Sequence, residues 1–167
     1  MPSALLRKLI VGTCISGLVA GCAAGIPPPL AGQVSWNLSF VEIRRLPESY
    51  RGRVVALGGI VTHIEADDQG YRGIVNELPF EGSSRYRPAV DQLPRGQFIV
   101  LIPRHEYPKD LRPGAEVTVV GEILGQGTSS ETGVEEGVPL LEERYIKVWG
   151  PSWWPRFQIG VWGNIGI

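Results

Sequence analysis

The chain has 167 residues, with 16 Lys and Arg against 17 Asp and Glu, a net charge of −1. That length bounds it to one domain, or one domain with appendages, and the charge balance lacks the basic excess of a nucleic-acid-binding protein. A 43% hydrophobic content excludes a disordered chain, and 22 Gly with 14 Pro lean toward an all-β domain rich in turns.

Arg7 and Lys8 form a short basic region, followed by an uncharged, mostly apolar stretch of 12 residues from Leu9 to Ala20. As a helix that stretch measures about 18 Å, short of the roughly 30 Å core of a bilayer. It has the layout of a signal-peptide core rather than of a spanning segment. Small residues then lead to a cysteine, Leu18-Val19-Ala20-Gly21-Cys22. This ending resembles the bacterial lipobox, with Val19 as the aliphatic position, Ala20 and Gly21 as the small ones and Cys22 as the acceptor. The resemblance implies that the Cys22 thiol receives a diacylglycerol, that cleavage falls before Cys22, and that the new amino group is acylated. An ordinary secretory signal, cut elsewhere, is the alternative. Cys14 lies inside the apolar core and would leave with the signal.

Cleavage would divide the chain into a signal peptide (1–21), a flexible tether (22–37), a barrel domain (38–149) and an aromatic tail (150–167). The mature chain would have 146 residues, 14 basic and 17 acidic, and a side-chain net of −3. Its one cysteine is alkylated, so no intramolecular disulfide is expected although the compartment is oxidising. A single acyl chain binds membranes marginally and two anchoring signals bind stably, so three chains on Cys22 would hold the protein without a transmembrane helix. Ala23 follows the cysteine where an Asp would signal inner-membrane retention, which implies the outer membrane.

From Ala23 to Asn37 the chain is rich in Pro, Gly and Ala, and Pro27-Pro28-Pro29 predicts an extended, semi-rigid spacer. Ser39-Phe40-Val41-Glu42 is a capping-box pattern, and Phe40, Ile43 and Leu46 follow at helical spacing, which predicts a short helix over 39–46. Pro47 should end it, with a second turn through Tyr50. From Arg53 to Ile64 the period is two, and Gly58-Gly59 inside the run predicts a bulge or sharp bend. Further strands are predicted over Tyr71–Phe80, Gln97–Ile102, Ala115–Leu124 and Leu141–Trp149. Asp67 to Gly70 is a turn, 81–95 a polar loop, 103–113 irregular with one helical turn at Pro108–Leu111, and Gly125 to Gly137 a polar loop. Five or six short strands with one short N-terminal helix predict a mainly β fold, a small OB-like Greek-key barrel; a β-sandwich fragment is the runner-up.

Four of the five Trp fall in the last 19 residues. Trp149 reads as closing the barrel, whereas Trp153, Trp154, Phe157 and Trp162 stand among Gly and Pro and suit a membrane interface. In order along residues 37–149, the chain resembles the Slp family of outer-membrane lipoproteins. The resemblance rests on Arg51-Gly52-Arg53-Val54-Val55, Gly58-Gly59-Ile60-Val61, Leu78-Pro79-Phe80 and Gly96-Gln97-Phe98. It continues through Pro113 to Glu122, Pro139-Leu140-Leu141-Glu142 and Ile146-Lys147-Val148-Trp149. Departures fall at Glu106-Tyr107-Pro108-Lys109-Asp110 and at Gly137-Val138. The resemblance implies an anchored outer-membrane location with an envelope or stress association and no agreed reaction; the periplasmic face is the expected side.

The residues themselves point away from catalysis. The mature chain offers no free Cys, no Gly-x-Ser-x-Gly elbow and no phosphate loop. His63 reads as solvent-facing or satisfied, and His105-Glu106 lacks the three or four converging ligands of a metal site. Glu131, Glu135 and Glu136 read as a solvated loop, and Glu142-Glu143-Arg144 as a strand face or edge. No catalytic residue, cofactor or metal is expected; the assigned site is Cys22, and the expected partner is the membrane. An envelope protein or glycan is a further possible partner. A periplasm-facing module that binds an oligosaccharide or other envelope ligand on an OB-like face is the alternative function, favoured if Tyr71, Tyr86 and Arg85 or Arg87 surround one groove. An unrecognised enzyme would show two convergent titratable groups in a cleft.

Overall fold

A computed structural model describes residues 25–66, 68–82, 86–127 and 137–150. The β-branched runs form β1 (Val54–Ala66), β2 (Gly70–Leu78), β3 (Gly96–Pro103), β4 (Glu116–Gly127) and β5 (Val138–Trp149), preceded by two short helices, α1 (Pro28–Ala31) and α2 (Phe40–Arg45). The strands close into a barrel in the order β1-β2-β3-β5-β4. β3 and β5 run parallel, and every other neighbouring pair is antiparallel. This is the Greek-key, OB-like barrel that the strand pattern predicts, and closure excludes the sandwich. Directly opposed residues pass from Val54 through Glu122, Glu142, Leu101 and Arg72 back to β1 at Glu65, 11 residues from the start. That offset is the shear that tilts the strands of a narrow barrel.

Alternate side chains fill the interior, among them Val55, Val75, Phe98, Val119, Ile123 and Leu141. α2 plugs the end where β2 leaves and β3 enters. Ser39 caps it: its Oγ accepts from the Glu42 N–H at 3.3 Å, while the Glu42 carboxylate accepts from the Ser39 N–H at 2.9 Å. Phe40 and Ile43 point inward, and Phe40 meets Phe98 edge-on at 6.4 Å. Pro47 then starts a 3-10 turn to Tyr50. At the opposite end, beyond Gly70 and Pro103, Leu111 is buried and Tyr107 packs on Tyr71 with ring centroids 4.0 Å apart.

Several expectations change. Pro27–Pro29 is not an extended spacer: Pro28 opens α1, its missing N–H costing nothing at a helix start. Ile26 and Val34, on either side of α1, are buried against Val120 on the outer face of the barrel, so the described part of 22–37 is docked. Their burial offsets the cost of ordering the segment. The glycine pair carries no bulge. Gly58 pairs with Leu78 and Thr118, Gly59 with Glu77 and Val117, and the register shift falls between Val61 and His63. Close approach is what requires the glycines. A Cβ on Gly59 would run into the Asn76 carbonyl, and one on Gly58 would lie 2.8 Å from the Phe80 ring. The irregular 103–113 stretch has its 3-10 helix at Arg104–Glu106, and at Pro108–Leu111 a single turn closed by a 3.0 Å bond. β4 and β5 also reach further than predicted, pairing out to Gly127 and Val138.

Candidate functional site

Cys22 lies outside the described residues, as do Trp153, Trp154, Phe157 and Trp162, the acids Glu131, Glu135 and Glu136, Arg85 and Asp67. The described chain opens three residues after Cys22 on Gly25, itself buried, and then Ile26, 3% exposed. Three residues span at most about 10 Å. An acyl group on Cys22 would therefore join the barrel close to its β4 face, where Val120, Tyr145 and Val54 receive Ile26 and Val34. Among the described residues no helix is long and apolar enough to cross a membrane.

The aromatic and arginine residues that would favour a binding groove do not gather. Tyr71 faces Tyr107 at the β1–β2 hairpin end. Tyr86 stacks on Trp36 at 4.8 Å and meets Phe80 edge-on at 5.7 Å, outside the barrel. Arg87 is held by Glu116, with Nη2 donating at 2.7 Å and Nε at 3.1 Å. Trp149 is half-buried; its Nε1 donates to Thr118 Oγ1 at 2.9 Å, and the Lys147 ammonium lies 5.5 Å from its ring. It closes the outer wall over β4 rather than the interior.

The histidines stand apart. His63 is exposed, 3.8 Å from Glu65, and His105 is more exposed, 3.4 Å from Glu106. Among the described residues no group of three or more His, Cys, Asp and Glu side chains could hold a metal ion.

One pair of titratable groups does converge, across elements far apart in the chain. Parallel pairing between β3 and β5 spans only Ile99–Leu101 against Leu140–Glu142. Past that seam Glu143 meets Glu106, delivered by the 3-10 helix after β3. Glu143 is 9% exposed, and its Oε2 is sealed from solvent with no hydrogen-bond partner. Burial, then the hydrogen bond and charge of Glu106, push its carboxyl up to about 8. Glu143 therefore holds its proton toward neutral pH. A cleft of about 440 Å³ beside it is lined by Leu30, Gln33, Pro103, Glu106 and Glu142 to Arg144, the last engaged with Glu122. Two carboxyls in a cleft are what an enzyme reading asks for; here Glu143 Oε2 is sealed while Glu106 is exposed, and the described wall holds no Ser, Thr, Cys or Lys. Nothing in the local sequence marks this pair, because only the barrel closure brings Glu106 to Glu143.

Two further buried acids are structural. Glu77, 1% exposed, takes a two-pronged ion pair from Arg95, and Glu116 takes that from Arg87. Each fork satisfies a carboxylate that would otherwise be costly to bury.

No curated protein matches the chain. A family model described as outer membrane lipoprotein Slp family matches residues 19–158, from the first residue of the Val19–Cys22 box to beyond the last strand of the barrel. The match spans most of the sequence and places the protein at the outer membrane: the chain belongs to the Slp family of outer membrane lipoproteins.

Proposed function

We propose that acyl chains on Cys22 anchor this protein in the outer membrane with its barrel facing the periplasm, where it acts through contact rather than catalysis. To it we assign the structural or stress-associated envelope role that the resemblance to the Slp family implies. The observation that carries the reading is the adjacency of the Val19–Cys22 box to a segment docked on the barrel three residues later, both within the family match. The separation of His63 from His105, and a cleft beside Glu106 and Glu143 with no Ser, Thr, Cys or Lys among its described lining residues, support the non-catalytic part. Separation of inner and outer membranes by density tests it. Wild type is expected in the outer-membrane fraction and Cys22→Ala outside it, in the inner-membrane or periplasmic fraction; an equal distribution of the two would sink it. Cross-linking in intact envelopes then identifies what the barrel touches.

A second reading, a glycan-binding module, has one observation in its favour. A cleft of about 390 Å³ beside Trp149 is lined by Asp110, Arg112 and Glu116, an aromatic edge with charged groups of the kind that binds sugars on OB-type barrels. Titration with cell-wall saccharides, followed by Trp fluorescence in wild type and Trp149→Phe, tests it. A saturable signal lost in the variant supports binding, and no signal in wild type removes it.

A further inference from the structure

We propose that the α2 end of the barrel rests on the phospholipid surface that holds the anchor, so that the domain lies against the bilayer instead of hanging from it. This rests on acylation of Cys22. Among the described residues five large apolar side chains are exposed: Leu93 at 86%, Leu46 at 61%, Trp36 and Val41 at 48% and Val90 at 37%. They gather at one end. A groove lined by Trp36, Ser39, Phe40, Phe80 and Arg95 joins Trp36 to the start of α2. Arg44 Nη1 donates to the Arg95 carbonyl at 3.1 Å, tying α2, with Val41 and Leu46 at its margin, to the loop that carries Val90 and Leu93.

Charge at this end is balanced, Arg44, Arg45, Arg51, Arg53 and Arg95 standing against Glu42, Glu48, Glu77, Glu81 and Asp91, so the exposed apolar side chains carry the contact. Arg44, Arg45 and Arg53 are exposed here. Of the nearby acids, Glu42 is turned back onto Ser39, Glu48 onto Arg51 and the Gln126 N–H, and Glu77 is buried under Arg95. Glu81 and Asp91 in the same loop are exposed acids. An indole, exposed aliphatic side chains and interleaved arginines make up the composition of a headgroup-level surface.

The anchor supplies the proximity. Trp36 follows directly on the docked segment, its Nε1 donating to the Ala31 carbonyl at 3.0 Å. Cys22 lies within about 10 Å of the buried Gly25. A barrel fastened so closely has its exposed apolar end within reach of lipid.

The test uses the full acylated chain, purified from membranes and reconstituted in phosphatidylethanolamine–phosphatidylglycerol vesicles. An environment-sensitive dye is attached through Leu93→Cys or, at the opposite end, through Lys109→Cys, each in a Cys14→Ser background. Quenching by nitroxide-labelled lipid is expected to be several-fold stronger at position 93 than at 109. Equal quenching, or stronger quenching at 109, overturns the proposal while leaving acylation standing; protection of position 93 only by an added envelope protein overturns it too. The intact mass of the same sample separates the two ideas, since a missing acyl mass removes the anchor and this proposal with it. As a second variant, Cys22→Ala protein should sediment weakly with the vesicles, and Val41→Glu with Leu93→Glu should abolish that; unchanged sedimentation counts against the surface.

Discussion

Replacing Glu143 by Gln should stabilise the protein at neutral and alkaline pH, an unusual result for a 9% exposed residue. The Glu143 carboxyl is raised from 4.5 to about 8 in the folded chain, first by burial and then by Glu106. Between those values the folded state holds a proton that the unfolded state has released. Stability then falls as pH rises, by up to about 1.4 kcal/mol per pH unit, and levels off above the folded value. Across the window from about 4.5 to about 8 the loss reaches the order of a few kcal/mol. The substituted amide would have the same shape, carry no titrating proton and donate its N–H to Glu106. Urea denaturation at a series of pH values is the assay. Wild type and Glu143→Gln should match near pH 4, diverge steadily above it and differ by a constant amount beyond the folded value. Parallel profiles throughout would refute the reasoning. Glu106→Gln adds a check on cause: because burial is the larger contribution, most of the slope should survive in that variant.

Three further substitutions probe the fold around the site. Ile26→Ala should cost about 2 kcal/mol by loss of contact with Val120 and Val34 and make the 25–36 segment protease-sensitive; an unchanged urea midpoint would mean that the segment is not docked. Gly59→Ala should cost about 3 kcal/mol because its Cβ meets the Asn76 carbonyl, whereas Gly82→Ala, with nothing within 4 Å, should be near neutral; equal thermal midpoints would contradict the close-approach argument. Ser39→Ala removes the cap of α2 and should cost about 1 kcal/mol, read as a lower melting temperature, and no loss would show that the capping box contributes nothing to closing that end.

Features that depend on neighbours along the chain were legible in the sequence. Ser39 and Glu42 are three residues apart, so their reciprocal bonds can be read directly, and Pro47 ends the helix by its own ring. Strands followed from the period-two runs, and the barrel from their number and the glycines among them. Features set by distant partners were not legible. The glycine pair was visible, but its purpose depends on Asn76 and Phe80, which arrive from the next strand and its loop. The Pro-rich segment looks like a spacer because its burying partner, Val120, stands in β4. Glu106 and Glu143 are ordinary residues in separate elements until the short β3–β5 seam lets them meet.

The lipid anchor is the central claim, and intact-mass measurement tests it most directly. Protein extracted from outer membranes should weigh the chain from Cys22 onward plus a diacylglycerol and one further acyl group, and Cys22→Ala protein should carry neither. A wild-type protein with no added acyl mass, or one cleaved at another residue, would contradict it.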